Sequence, residues 1–251
     1  YMYDEARQKL TLGIEWGFED WVVQLTQQEE KRIKEENKKI AKMGEPGNDP
    51  FTKKKPENTT LEKDYYQKHT IAVIRIPKIN VTLPVFDQTD NLFLKRGAAL
   101  LEGTSYPDGG KGIHTVITSH RGLKEARLFS DLPKLKKGNH FYLEYKNQTF
   151  AYKVDKIQTI EPTEVETLNI VEDKNYATLM TCTPYGVNSH RLLVRGTRIP
   201  FSEGMKKSLA KADRVHRNRS LAILIFSLLL MIGIGSIVFK RIKSLKGRKR
   251  S

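Results

Sequence analysis

The sequence predicts a mainly β fold, a closed barrel or sandwich of roughly eight strands, with N-terminal helices and a C-terminal transmembrane helix. Three observations support this prediction. Between about residues 65 and 200, short β-branched and apolar runs alternate with turn residues, and few long helical patterns intervene. Residues 4–43 follow a helical pattern. Residues 221–239 contain no charged side chain.

These patterns divide the chain of 251 residues into six predicted segments. In chain order they are an N-terminal helical region (1–43), a loop rich in Gly and Pro (44–60), the β domain (61–204), a basic linker (205–220), the membrane segment (221–239) and a basic tail (240–251). The chain begins at Tyr1 and shows no signal-peptide pattern, so any natural signal or anchor is expected upstream.

Within these segments the hydrophobic spacing predicts individual elements. An apolar stripe over residues 10–25 indicates an amphipathic helix, and the mostly charged stretch 27–42 indicates a solvated helix that lies on a domain outside its core. Helical turns are predicted within 90–101 and 125–132. The predicted strands are Thr70–Ile76, Val81–Phe86, His114–Ser119, His140–Tyr145, Thr149–Ile160, Ala177–Cys182 and Arg191–Ile199.

The net charge of +15 is concentrated near the C-terminus. Residues 206–219 carry six Lys or Arg and one Asp, and residues 240–251 carry seven Lys or Arg and no acid. The rest of the chain is nearly neutral, so the charge indicates a membrane partner and no nucleic acid.

Between these basic flanks lie the 19 uncharged residues 221–239, which are long enough to cross a bilayer. The denser tail favours the cytoplasm, which predicts a single- or double-pass protein of the cell membrane with its β domain extracellular.

Cys182 is the only cysteine, which excludes an internal disulfide framework and a multi-cysteine metal site. It ends one apolar run, a Pro/Gly/Asn-rich turn follows, and Arg191 begins the next run. Two such runs predict an antiparallel hairpin in which Cys182 and Arg191 are neighbours. A thiol beside a guanidinium suggests an activated nucleophile with an anion stabiliser, although a lone cysteine is also compatible with a buried structural role.

A cysteine nucleophile needs a base, and two of the six histidines are candidates. His120 ends a predicted strand, and His190 adjoins Arg191. Because adjacent strand residues point to opposite faces, His190 and Arg191 do not both address Cys182, which favours His120. The same alternation places Arg191 and Arg195 on one face of their strand. Arg191 is level with Cys182 at the turn and is the oxyanion candidate, whereas Arg195 lies further along the strand and is expected to be structural.

Three segments resemble the sortase family in order. T-L-M-T-C, with Arg191 nine positions after the cysteine, resembles the sortase active-site signature. V-I-T-S-H-R-G resembles the segment with the family's histidine, and I-P-K-I-N-V-T-L-P-V-F resembles its early strand pair. The resemblance implies a sortase β-barrel and a cysteine transpeptidase, with Cys182 as nucleophile, His120 as general acid and base, and Arg191 as stabiliser of the substrate carbonyl.

The segment T-C-T-P-Y-G-V-N-S-H-R-L-L-V-R-G and the membrane segment after the β domain resemble class C, pilus-assembling sortases. Loop 44–60 contains Asp49-Pro50-Phe51, which resembles the lid motif of that class. There the aromatic covers the cysteine and the aspartate contacts the arginine, so the resemblance makes Asp49 and Phe51 regulatory candidates.

The resemblance also implies the partners, which are pilin subunits with an LPxTG-like sorting motif and an acceptor lysine. It implies no metal and no organic cofactor. Other hypotheses remain open at this point: a sortase that attaches proteins to the cell wall, a cysteine peptidase that uses water, and a membrane-anchored binding module with an inert cysteine.

Overall fold

The computed structural model describes residues 27–43, 46–47, 49–51, 63–124, 126–146, 148–211 and 231. The chain divides into two compact units, Tyr1–Phe201 and Ser202–Ser251. In the second unit residues 203–211 are helical. None of the described helices is long and apolar enough to cross a membrane. The apolar stripe over 10–25 and, apart from Met231, the predicted membrane segment 221–239 lie outside the described residues.

The first unit contains short helices and a set of β-strands. The helices are α1 (Gln27–Met43), α2 (Lys63–Lys68) and α3 (Asn91–Leu94), with 3-10 helices at Pro77–Ile79, Leu132–Lys134 and Val165–Leu168. The strands are β1 (Thr70–Ile76), β2 (Val81–Phe86), β3 (Ala98–Leu100), β4 (Ile113–Thr118), β5 (His140–Tyr145), β6 (Gln148–Ile160), β7 (Asn175–Thr183) and β8 (His190–Ile199).

Within the described residues, eight strands form a closed barrel in the order β1-β2-β3-β4-β7-β8-β6-β5. The pairs β2–β3 and β4–β7 are parallel, and the other pairs are antiparallel. The predicted mainly β fold is therefore confirmed, and the barrel is the correct one of its two alternatives. All seven predicted strands are present, and each strand end lies within two residues of its predicted position.

The eighth strand, β3, was not predicted, because three residues are too few to show an alternating pattern. The helical turn predicted nearby is α3, whose first N–H groups are capped by the Asp90 side chain accepting from the Phe93 N–H. The turn predicted over 125–132 is wrong in position, because the helical residues there are the 3-10 helix Leu132–Lys134. Pro133 suits a helix start, since it has no N–H to leave unpaired.

Both faces of the β7–β8 hairpin are covered. Leu179 and Val194 pair across it and belong to the main core of the barrel. The next pair, Met180 and Leu193, belongs to a second apolar cluster. Because side chains alternate, this second cluster lies on the outer face of the barrel, and Cys182 lies on the same face as Met180.

Helix α1 lies on the barrel, and most side chains over its residues 31–42 are exposed, as predicted. The expectation that it stays out of the core is wrong at Ile33, which is buried within the main core. Asn37 forms a second anchor, since its side chain donates to the Tyr106 carbonyl at 3.0 Å and accepts from the Tyr106 N–H at 2.8 Å. Together these contacts anchor the helix that precedes loop 44–60.

Candidate active site

Strand register brings the three predicted site residues together. In the antiparallel pair β7–β8, Cys182 lies opposite Arg191. In the parallel pair β4–β7, Thr118 lies opposite Met180, and the Ser119 N–H continues the ladder by donating to the Met180 carbonyl at 3.2 Å. The next residue along, His120, therefore lies level with Cys182. The thiol is flanked by a histidine on one neighbouring strand end and an arginine on the other.

The thiol of Cys182 is almost removed from water, with 5% of the residue exposed. This burial raises the pKa of the thiol to about 11, because a thiolate loses its hydration there. The charges of Arg191 and Arg121 act in the opposite direction, and the charge of Asp49 adds to the increase. In the observed arrangement the thiol is protonated at neutral pH.

Arg191 is buried, and all three nitrogens of its guanidinium donate hydrogen bonds. Its Nε donates to Asp49 Oδ1 at 2.7 Å, and its Nη2 donates to Asp49 Oδ2 at 2.6 Å. Its Nη1 donates to the backbone carbonyls of Asn188 and His190, both at 2.9 Å. Burial alone would lower the pKa of this guanidinium, but the hydrogen bond and charge of Asp49 outweigh burial and raise it. The pair is bidentate and buried, so removal of either partner would leave an uncompensated buried charge.

Loop 44–60 reaches the same point through its described residues. The ring of Phe51 lies 5.4 Å from the ring of His120, and the Arg191 guanidinium carbon lies 5.1 Å from the Phe51 ring centre. The Gly47 N–H donates to the Glu102 carbonyl at 2.7 Å. A Cβ at Gly47 would lie 2.4 Å from that oxygen, so only glycine allows this approach. The described residues of the loop therefore lie over the strand ends that carry the cysteine.

Beneath Phe51 lies the outer apolar cluster, which we define by the six side chains of Leu101, Val116, Ile160, Leu168, Met180 and Leu193. Phe51 also packs against a neighbouring cluster formed by Phe86, Phe93, Leu94 and Ala99. The sequence motifs do not assign these residues to the site. The alternation of Met180 and Leu193 with core-facing neighbours is the signal that identifies this second buried face.

The rival histidine, His190, occupies a different environment. It lies opposite Thr183, one position beyond Cys182, and its Nδ1 lies 2.8 Å from Ser189 Oγ. Its side chain alternates with that of Arg191 and so points to the other face of the strand. Of the two histidines, His120 is the one that contacts Phe51 on the face shared by Cys182 and Arg191.

Arg195 lies on the same face of β8 as Arg191, but its guanidinium binds a carboxylate of the adjacent strand β6. Its Nε and Nη2 donate to the two carboxylate oxygens of Asp155, at 3.1 and 2.9 Å. The register of β6 shifts between Val154 and Lys156, which leaves Asp155 as the extra residue of a β-bulge. Thr197 also donates to Asp155 at 2.8 Å. The bulge thus directs a carboxylate at the arginine.

His114 was missed as a significant residue, because its position at the start of a strand gives no signal. It is 1% exposed, with Nδ1 3.0 Å from the Asn169 carbonyl and Nε2 2.7 Å from Thr178 Oγ1. A carbonyl only accepts, so we assign the proton to Nδ1 and let Nε2 accept from the hydroxyl. Burial is the main reason that the pKa of His114 is lowered to about 4. A neutral imidazole therefore ties β4 and β7 to the segment between β6 and β7.

Among the described residues, no group of three or more His, Cys, Asp or Glu side chains is placed to hold a metal ion. The groups that share the face of Cys182 at the strand ends include the imidazole of His120 and the guanidinium of Arg191. A thiol that can pass its proton to an imidazole, beside a fixed guanidinium, is suited to attack on a carbonyl group.

The closed barrel with cysteine, histidine and arginine at three adjacent strand ends defines a class of protein. The family profile described as the sortase domain matches residues 74–199, half of the chain, and the chain belongs to the sortase family. Sortases are cysteine transpeptidases. The resemblance stated from the sequence motifs is thereby confirmed.

Individual relatives agree with this assignment. Sortase A of Bacillus anthracis is 33% identical over 141 residues, which is 55% of this chain and 62% of that relative's length. The structure titled "Sortase C1 of GBS Pilus Island 1" is 37% identical, with a TM-score of 0.63 over 77% of this chain and 93% of that chain. The structure titled "Pilus-related Sortase C of Group B Streptococcus" is 41% identical, with a TM-score of 0.62 over 73% and 96%.

Proposed function

We propose that this protein is a class C sortase, a membrane-anchored cysteine transpeptidase that cleaves an LPxTG-like sorting motif and joins pilin subunits. The observation that supports this most is the position of Cys182 between His120 and Arg191, under a loop that brings Asp49 and Phe51 to the same point. A nucleophile, a proton-transfer group and an anion stabiliser are what acyl transfer through a thioester requires.

In the first half of the reaction, the Cys182 sulfur attacks the Thr–Gly carbonyl carbon of the sorting motif. His120 accepts the thiol proton, and the carbonyl oxygen becomes an oxyanion held by Arg191 and a backbone N–H. The C–N bond then breaks, and His120 returns the proton to the glycine amine, which leaves. A thioester between Cys182 and the threonine remains.

In the second half, the lysine amine of the next pilin attacks the thioester carbonyl. His120 removes a proton from that amine and Arg191 again stabilises the oxyanion. The C–S bond breaks, and the proton passes back to sulfur. The product is an isopeptide bond between two pilins, and neither a metal nor an organic cofactor takes part.

In this proposal the described part of loop 44–60 is a lid that regulates access. The guanidinium that must hold the oxyanion is bound on two sides by Asp49, and Phe51 packs on the outer apolar cluster beside His120. Asp49 also raises the pKa of the Cys182 thiol. Substrate therefore has to displace both side chains, which frees Arg191 and favours the thiolate.

Two further observations support a membrane-bound pilus enzyme. Two of the similar solved structures have titles that name a pilus. The uncharged segment 221–239, flanked by basic residues, fits a transmembrane helix with its basic tail in the cytoplasm and the barrel at the extracellular surface. Pilin subunits with a sorting motif and an acceptor lysine are then the substrates.

The test is incubation of the full chain with an L-P-x-T-G peptide, followed by mass analysis of Cys182. We expect an acyl adduct that lacks the glycine, and none in the Cys182→Ala variant. With purified pilin we expect a ladder of covalent polymers. Pilin joined only to a wall peptide would indicate a wall-anchoring sortase, hydrolysis alone would indicate a peptidase, and no adduct would indicate a binding module.

A further inference from the structure

Arg121 follows His120 in the chain and contacts the residues on the far side of the nucleophile. Its Nη1 donates to Thr183 Oγ1 at 3.0 Å and lies 3.5 Å from the carbonyl oxygen of Cys182. Thr183 immediately follows Cys182, so this one side chain spans from the end of β4 to the backbone that carries the thiol. The sequence motifs gave Arg121 no role.

The turn between β7 and β8 is held on its other side by Arg191, through the carbonyls of Asn188 and His190. On the side of Arg121, the guanidinium carbon lies 5.7 Å from the ring centre of Tyr185. The next residue, Gly122, has a φ of +85°, and a Cβ there would lie 3.0 Å from the Tyr185 ring. Residues 121–122 therefore pack directly against the turn.

The guanidinium charges of Arg121 and Arg191 both favour the thiolate, but only Arg191 is paired with a carboxylate. Arg191 is paired with Asp49 here and, in the proposed reaction, binds the oxyanion. Within the described part of the chain, no carboxylate pairs with Arg121, and its buried Nε has no hydrogen-bond partner. A guanidinium that contacts the Cys182 carbonyl and is not neutralised by an acid favours the thiolate of this buried residue.

We propose that Arg121 is a positioning residue for the transfer reaction. It fastens the Cys182 carbonyl and the turn that follows to the strand end carrying His120, and it supplies the positive charge that favours the Cys182 thiolate while Arg191 binds another anion. The positioning part of this inference rests on the proposed sortase activity, whereas the effect on the thiolate does not.

The test compares Arg121→Gln, Arg121→Lys and the matched control Lys124→Gln, which removes an equal charge from an exposed position in the same loop. The measurement is the rate of iodoacetamide alkylation at pH 8 in the full chain, where Cys182 is the only thiol. We expect Arg121→Gln to react about threefold to tenfold more slowly, which corresponds to a thiol pKa about half a unit to one unit higher. Arg121→Lys and Lys124→Gln should stay within about twofold of the parent.

Thr183→Val separates the contact from the charge. It removes the acceptor of Arg121 and keeps the guanidinium, so we expect a lower kcat for acyl-adduct formation with an unchanged KM and an unchanged alkylation rate. If Arg121→Gln does not fold, judged by thermal unfolding, Arg121→Met decides on the charge in its place through the same slower alkylation, and Thr183→Val decides on the contact through its loss of kcat.

Equal alkylation rates in Arg121→Gln and the parent, or an equal loss in Lys124→Gln, would overturn the role of the Arg121 charge. An unchanged kcat in both Thr183→Val and Arg121→Gln would overturn the positioning role. Because alkylation needs no peptide substrate, absence of an acyl adduct in the parent would reject the proposed function and leave the alkylation comparison valid.

Discussion

Two arginines on the same face of β8, Arg191 and Arg195, each form a bidentate pair with an aspartate, yet the two pairs differ in origin and exposure. Asp155 comes from a bulge in the adjacent strand, and the side chains of that pair are 24% and 31% exposed. Asp49 comes from a loop 142 residues away in sequence, and that pair is 5% and 7% exposed. The first pair belongs to the barrel wall, whereas the second fills a position that a substrate oxyanion could take.

The comparison predicts that only one of the two arginines controls catalysis. Arg191→Gln should lower kcat/KM for the sorting peptide by about 100- to 1,000-fold, since it removes an oxyanion donor. Arg195→Gln should lower it by less than about tenfold, because its guanidinium is bound to Asp155. Acyl-adduct formation with the same peptide measures both. Equal losses would show that the two pairs do not differ in role.

The region around Arg195 should instead control stability, and His114 gives the largest effect there. Its pKa is about 4 in the folded chain against an ordinary value of 6.5, so the fold favours the neutral ring. The contribution of the neutral ring to the free energy of unfolding is complete above pH 6.5. It is lost as the pH falls toward 4, and the total loss is about 3 kcal/mol. Urea unfolding at pH 7.5, 5.5 and 4.5 measures this loss.

The matched variant for this measurement is His114→Gln, which cannot titrate. It should be less stable than the parent at pH 7.5, and the difference should shrink at pH 4.5, since acid no longer protonates a buried ring. Other carboxyl groups affect both proteins alike. A difference that stays constant over this pH range would exclude His114 as the source of the acid sensitivity.

Removal of the Asp49 charge should change the alkylation rate of Cys182, whereas removal of the Asp155 charge should not. Asp49→Asn removes a charge that raises the thiol pKa, and it weakens the hydrogen bonds to Arg191. Alkylation of Cys182 at pH 8 should therefore become faster, by about tenfold for each unit by which the thiol pKa falls. Asp155→Asn should leave alkylation unchanged. A rate in Asp49→Asn equal to that of the parent would argue against a lid that suppresses the thiol.

The smallest effect is expected for the stability of the exposed pair. Asp155→Asn should lower the free energy of unfolding by about 1 kcal/mol, because the pair is partly solvated and Thr197 loses its charged acceptor as well. Chemical denaturation at pH 7.5 measures this change. A loss several times larger would mean that the bulge, and not only the pair, depends on the carboxylate.

The sequence predicted those parts of the molecule that depend on local pattern. Seven strands follow from their β-branched runs, and the neighbouring positions of Cys182 and Arg191 follow from a hairpin with a short turn. The position of His120 depends on the parallel pair β4–β7, whose register no local pattern specifies. His120 could be favoured over His190 because side-chain alternation places His190 and Arg191 on opposite faces of their strand.

Other features had no local signal. The strand β3 is too short, and Asp155 reaches Arg195 only because a bulge interrupts the alternation of β6. Asp49 was connected with Arg191 through family resemblance alone, since the two residues are distant in sequence. The burial of His114 depends on the segment that covers it, which a strand pattern does not reveal.

The parallel pair β4–β7 also determines the order in which the site can assemble during folding. The β7–β8 hairpin joins Cys182 and Arg191 through a short loop, whose closure costs little chain entropy. His120 joins them only when strands about 60 residues apart pair in parallel, a non-local step of the kind that slows folding. A chain in which the hairpin formed before β4 and β7 paired would hold the thiol and the guanidinium without the imidazole, so the complete site depends on closure of the barrel.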